Sequence, residues 1–172
     1  MMTSSTFREV QQFRQPWIWV LLLLSCGFVV GVFGYGAVQQ LALGKPWGDR
    51  PMSDTGIAIT TLLSIGLTLA LVYLFWVMAL VVEVRTDALF VHLRPLKRRT
   101  VDYQEITRVE PCQYQPIRQY GGWGIRHGRG GWAYNVSGNR GVKLHLSNGK
   151  HLLIGSQRDW ELAQAIEKQR SG

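Results

Sequence analysis

Cysteine is scarce in this sequence. Cys26 and Cys112 are the only two in 172 residues, too few for a disulfide framework. The first lies inside an apolar run and the second in a polar, strand-like region, so no bridge between them is expected. Both are read as free thiols serving as small packing residues in a reducing compartment. Charge is missing from two long stretches: no Asp, Glu, Lys, Arg or His occurs from Gln15 to Gly44 or from Thr55 to Val82. A membrane span without an ionisable side chain has no candidate proton or ion relay, which argues against a transporter. Metal-ligand spacing is lacking too. His145 and His151 face each other across an expected hairpin, but they have no third ligand, and His92 and His127 stand apart. Glu105 and Glu110 do not make an acid/base pair, and no serine sits in a nucleophile elbow. The sequence therefore predicts no catalytic residue, no metal and no cofactor; the chain is not expected to be an enzyme.

The uncharged stretches are themselves the strongest positive signal. Each exceeds the roughly 20 apolar residues that cross a ~30 Å hydrocarbon core, and the near-zero mean hydropathy of +0.01 conceals them because everything after Val82 is polar. The first run is longer than a signal-peptide core and has no small-residue cleavage site after it, so it reads as a retained anchor. The predicted organisation is an N-terminal segment over 1–15, a transmembrane helical hairpin over 16–82 and a separate domain over 83–172. The helices are expected at about 17–38 and 57–82, joined by an external loop, 39–56. Pro16 suits a first helical turn, and Ser53, Asp54 or Thr55 can cap the second helix. Gly27 with Gly31, and Gly66 with Ala70, form small-xxx-small pairs at similar depth. They are expected either to form the seam between the two helices or to provide a homodimer face.

Basic residues outnumber acidic ones, 19 Lys plus Arg against 11 Asp plus Glu, for a net charge of +8. Nearly all of the excess lies after Val82. Arg8 and Arg14 precede the first span, and Arg85, Arg94, Lys97, Arg98 and Arg99 follow the second, whereas the loop between them has only Lys45 and Arg50. The positive-inside bias predicts a multi-pass protein of the bacterial inner (cytoplasmic) membrane with both termini cytoplasmic. A basic domain beside a membrane points to the anionic leaflet. No nucleic-acid reader motif is present, and no nucleic-acid partner is expected.

After Val82 the hydrophobic period shifts to two. Strands are predicted over 82–85, 89–94, 100–103, 107–114, 132–137, 142–146 and 151–154, with Asn148-Gly149 as a hairpin turn. A closing amphipathic helix carries Trp160, Leu162, Ala163 and Ile166, and Trp160 and Ile166 are expected to be buried where the sheet opens. The predicted class is α+β: a two-helix membrane hairpin followed by a seven-stranded bent sheet or partial barrel capped by a C-terminal helix. Thr86-Asp87-Ala88-Leu89, followed by Val101-Asp102-Tyr103-Gln104-Glu105-Ile106, resembles the opening of bacterial pleckstrin-homology (PH)-like domains. Phe7 to Gln15 and Tyr120 to Arg126 resemble a family of small uncharacterised bacterial membrane proteins with this layout. That resemblance implies a PH-like fold and brings no activity with it.

Two segments are candidate sites. In the turn holding Arg94, Lys97, Arg98 and Arg99, the basic side chains either meet lipid headgroups or are simply solvated. The glycine-rich stretch 118–131 includes Gly121, Gly122, Trp123, Gly124, Arg126, His127 and Arg129. It could be an ordered loop anchored by Trp123, a partner contact or an anion site; it is neither a P-loop nor a dinucleotide fingerprint. The expected function is a membrane-anchored PH-like binding or scaffolding module that recruits a protein partner or forms a homo-oligomer. The alternative is an enzyme or accessory subunit acting on a phosphate-bearing or lipid substrate through 118–131.

Overall fold

The structure is a computed structural model that describes residues 6–128 and 130–171. It is α+β and divides into two compact units: Arg14–Trp76, and the described residues up to Phe13 together with those from Val77 onward.

The helical unit contains α1 (Pro16–Ala37), which runs on into a π-helical turn at Val38–Ala42, and most of α2 (Asp54–Val77). Both helices are long and apolar enough to cross a membrane; 24 residues at 1.5 Å each give α2 a length of about 36 Å. The predicted glycine seam is not what joins them. Gly27, Gly31, Gly66 and Ala70 are all exposed, and a Cβ added at any of the three glycines would meet nothing within 4 Å. The buried positions of the helical unit include Leu22 and Cys26 on α1 and Ile57 on α2. The Thr61 hydroxyl donates to the Phe33 carbonyl (3.1 Å), and Trp19 packs edge-on against Trp76 with ring centroids 6.2 Å apart. Small residues permit close helix approach, but here a hydroxyl and a pair of indole rings bridge the helices.

The β-rich unit has nine strands among the described residues, not seven. One sheet is an antiparallel meander of β1 (Phe7–Gln12), β2 (Ala79–Val84), β3 (Leu89–Arg94) and β4 (Lys97–Val101). The other contains β5 (Ile106–Gln113), β6 (Gly124–Gly128), β7 (Gly131–Asn135), β8 (Arg140–Leu146) and β9 (His151–Gly155), in the order β5-β8-β9-β7-β6. The sheet is mixed because β7 runs parallel to β9. A short helix, α3 (Pro116–Tyr120), precedes β6, and α4 (Asp159–Arg170) closes the chain.

The extra strands explain where prediction and structure part. β1 lies in the segment read as a separate N-terminal piece, and it pairs along its whole length with β2, from Phe7 opposite Val84 to Gln12 opposite Ala79. α2 ends at Val77, before the expected 82, because the strand Ala79–Val84 follows, and the apolar run from Met78 to Val82 is buried on both faces. Hydrophobicity alone does not separate such a strand from the end of a span. The glycine-rich stretch is a short helix and a hairpin rather than an irregular loop. On α4, Leu162 and Ile166 are fully buried as the helical period requires, but Trp160 is 63% exposed, contrary to expectation.

Four tyrosines of this unit are buried or half-buried, and burial raises the pKa of each phenol, since the charged form is the one desolvation disfavours. Tyr103, whose hydroxyl donates to the Arg85 carbonyl at 2.6 Å, and Tyr114 are both pushed up to about 12. An unfolded chain ionises these groups near 10 while the folded one keeps them neutral. Their contribution to stability is therefore complete below pH 10 and is lost as pH rises towards 12. Alkaline unfolding is expected to begin above pH 10, with late-titrating tyrosinate absorbance. Titration of every phenol near pH 10 in the folded protein would contradict this.

Candidate functional site

The basic turn does not act as one cluster. Strand register places Arg98 opposite His92, Thr100 opposite Phe90, and Lys97 opposite Leu93. Because side chains alternate along a strand, Arg98 joins His92, Phe90 and Arg94 on one face of the first sheet, where Glu83 of β2 also stands. These residues and Arg85 line a hollow of about 310 Å³, which Arg99 also borders. Lys97 turns away, its Nζ lying 5.1 Å from the Trp132 ring centroid, and Arg99 reaches the hydroxyl of buried Tyr134.

Within the hollow the single carboxylate is already matched. Glu83 accepts from Arg85 Nε at 2.9 Å and pairs with Arg8 at 3.1 Å, and the Arg85 guanidinium lies 4.3 Å over the Phe90 ring. Arg94 and Arg98 make no ion pair among the described residues. Between them stands His92, whose pKa is lowered first by burial and then by Arg98 and Arg94. The ring is therefore neutral at pH 7 and can offer one donor and one acceptor. Two uncompensated guanidiniums flanking a neutral imidazole form an anion-accepting surface.

The position of this surface within the sheet matters. Gln12, Ala79 and Arg94 stand opposite one another in a row across β1, β2 and β3. Gln12 is four residues before the start of α1, and Ala79 is two residues after the end of α2. Two backbone steps and one interstrand spacing keep the Arg94 Cα within about 13 Å of Val77.

In the glycine-rich stretch, Gly121 closes α3 in the left-handed region (φ 71°), and Gly122 follows it. Trp123 anchors the hairpin by donating its indole N–H to the Gly138 carbonyl (3.1 Å), and the Gly124 amide donates to the Asn135 side chain at 2.9 Å. Arg126 donates to the Trp123 carbonyl at 3.0 Å, whereas the His127 ring packs on Trp132 at 5.1 Å. As neighbours on β6 the two side chains leave opposite faces of the strand and do not converge on one ligand. Arg129 lies outside the described residues.

No group of three or more His, Cys, Asp or Glu side chains suited to a metal occurs among the described residues. His145 is held by Glu110, its Nε2 2.8 Å from the carboxylate, and its ring centroid is 5.7 Å from that of His151. That hydrogen bond, ahead of the charge of Arg108, holds the Glu110 pKa below its ordinary value. Cys112 is half-buried, and burial pushes its thiol up, away from reactivity. The residues that sequence reasoning missed are His92, Glu83 and Arg85. Their one signal was strand alternation, which sets them on the face opposite Leu89, Val91 and Leu93.

Sequence comparison matches residues 2–171 to the DUF6141 family, described as a family of unknown function. Comparison with curated proteins and with solved structures gives no match. With nearly the whole chain covered, this protein belongs to the DUF6141 family.

Proposed function

We propose that this protein is a membrane-anchored binding module at the inner face of a bacterial membrane, its β-rich unit a PH-like domain that docks on anionic headgroups and recruits a protein partner or self-assembles. In this reading α1 and α2 both cross the bilayer, and both termini are cytoplasmic. The observation that carries it is the row Gln12–Ala79–Arg94, since chain length alone keeps Arg94 and its turn near the end of a membrane-crossing α2. Each basic side chain near an anionic surface contributes about 1 kcal/mol, fading beyond a Debye length of about 8 Å. Two sheets followed by a C-terminal helix support the PH-like reading, and the β6-β7 hairpin is an addition to it. The outer edges of β4 and β6, which no strand among the described residues pairs, are available for strand addition by a partner. Arg126 and His127 leave opposite faces of β6, so the geometry does not favour a substrate held between those two side chains.

The test uses the full chain in nanodiscs. Amide exchange over 94–99 is expected to slow when a neutral bilayer is replaced by one rich in anionic lipid. The effect should vanish at high salt and in a variant carrying Arg94→Gln, Lys97→Gln, Arg98→Gln and Arg99→Gln. Equal protection in both bilayers, or protection indifferent to salt, would remove headgroup docking.

A further inference from the structure

The second sheet carries another cationic hollow, on a different surface from the one around Arg94. It measures about 710 Å³ and is lined by Gln115, Arg118, Gln119, Tyr120, Lys143 and His151, that is, by α3, β8 and β9. None of these side chains is a carboxylate, and Arg118, Lys143 and His151 make no ion pair among the described residues. The carboxylate that acts on Lys143, Glu110, is engaged by Arg108 and His145. The side-chain oxygen of Gln119 accepts the Gln115 backbone N–H at 3.1 Å, so what its side-chain amide still has to give is its NH2 donors.

Two glycines stand where the walls of the hollow pack. A Cβ on Gly128 would lie 2.7 Å from the Tyr120 ring and 2.8 Å from the Gln119 carbonyl oxygen, so α3 rests directly on the β6 backbone. A Cβ on Gly130 would lie 2.5 Å from His151 Nε2, and its φ of 108° is one that other residues rarely adopt. At Gly128 and Gly130, then, two walls of the hollow, α3 and the His151 ring, pack against bare backbone.

We infer that this hollow is a binding site for a phosphate ester with a polar body. Three cationic or protonatable groups from separate elements, with amide donors beside them, suit a tetrahedral oxyanion. The volume exceeds that of a lone phosphate and falls within the usual range for small-molecule sites. The polar lining disfavours an apolar ligand body. The same chemistry is found in a soluble phosphorylated metabolite and in a lipid headgroup. The site is independent of headgroup docking by Arg94 and Arg98.

The probe is glycerol 3-phosphate, added to the full chain in neutral-lipid nanodiscs, with acetate at matched ionic strength as the control. It is expected to slow amide exchange in 115–120 and 150–153. Arg118→Gln and Lys143→Gln should each weaken this at least tenfold, Lys143→Arg should restore it, and Arg98→Gln should leave it unchanged. If protection arises only when phosphatidic acid is in the bilayer, and still needs Lys143, the site is supported with a lipid as its source. Equal protection by acetate, equal protection of wild type and Lys143→Gln, or no protection by either phosphate source would overturn the inference. Lys143→Arg also serves as the folding control: if it binds while Lys143→Gln does not, loss of structure is not the cause.

Discussion

Replacing Gly131 by alanine is expected to cost the β-rich unit at least about 3 kcal/mol, the upper range for overpacking a well-packed site. Gly131 opens β7 opposite His151 of β9. A Cβ there would sit 1.8 Å from the His151 carbonyl oxygen and 2.7 Å from its carbonyl carbon. Those are backbone atoms in a strand pair, so no side-chain rotation relieves the clash and the two strands must separate. β7 and β9 pair over only four residues, and losing the first of them weakens the lateral support of the β6-β7 hairpin. Urea unfolding of the full chain in detergent, followed by a probe in this unit, should show the loss. Gly149→Ala is the internal control. That glycine, at φ 76°, has nothing within 4 Å of an added Cβ, so its substitution costs only the left-handed conformation, about 1–2 kcal/mol. If the two variants were equally stable, the close approach of β7 to β9 would be refuted.

How much of this was legible beforehand depended on whether a strand's burial showed in its residue types. β3 is legible to its observed limits because Leu89, Val91 and Leu93 are buried and alternate with polar or aromatic neighbours. β8 was as clear, with Val142, Leu144 and Leu146 facing inwards. β1 was invisible for the converse reason. Its inward positions are Phe7, Glu9 and Gln11, so two of the three buried side chains are polar and no period-two pattern appears. β6, Gly-Ile-Arg-His-Gly, has low strand propensity at both ends, and tertiary contact with α3 and β7 determines its conformation. The basic turn was found from composition, but its division between two faces required the register. Arg118, Lys143 and His151 are spread over 34 positions and carry no motif, so only the fold reveals that they line one hollow.

The polar inward face of β1 leads to the second large effect. Glu9 is 8% exposed, and its carboxylate accepts from the Ser156 hydroxyl and, at 2.9 Å, from the Gln157 amide. Beside it, Gln11 donates from its side-chain amide to the Gly155 carbonyl at 2.8 Å, and the Arg158 guanidinium lies 4.8 Å from the Phe7 ring centroid. An edge strand of the first sheet thus satisfies the backbone of the connection between β9 and α4, nearly 150 positions away. Glu9→Ala leaves a fully buried hydroxyl and a part-buried amide without their acceptor. Hydrogen bonds to a charged group contribute about 1.5–3 kcal/mol each, so a loss of about 3 kcal/mol is expected once some rehydration is allowed for. Glu9→Gln should cost roughly half as much, since its carbonyl still serves one donor and the serine hydroxyl can rotate to accept from its NH2. Val10→Ala, one residue along but 51% exposed, should stay within about 0.5 kcal/mol. Hydrogen exchange gives the sharper readout. In Glu9→Ala, amides from Gly155 to Arg158 should open together with those of β1, because the same carboxylate holds both. If β1 were instead held only by its ladder to β2, exchange at 155–158 would be unchanged, and Glu9→Ala would be no worse than Val10→Ala.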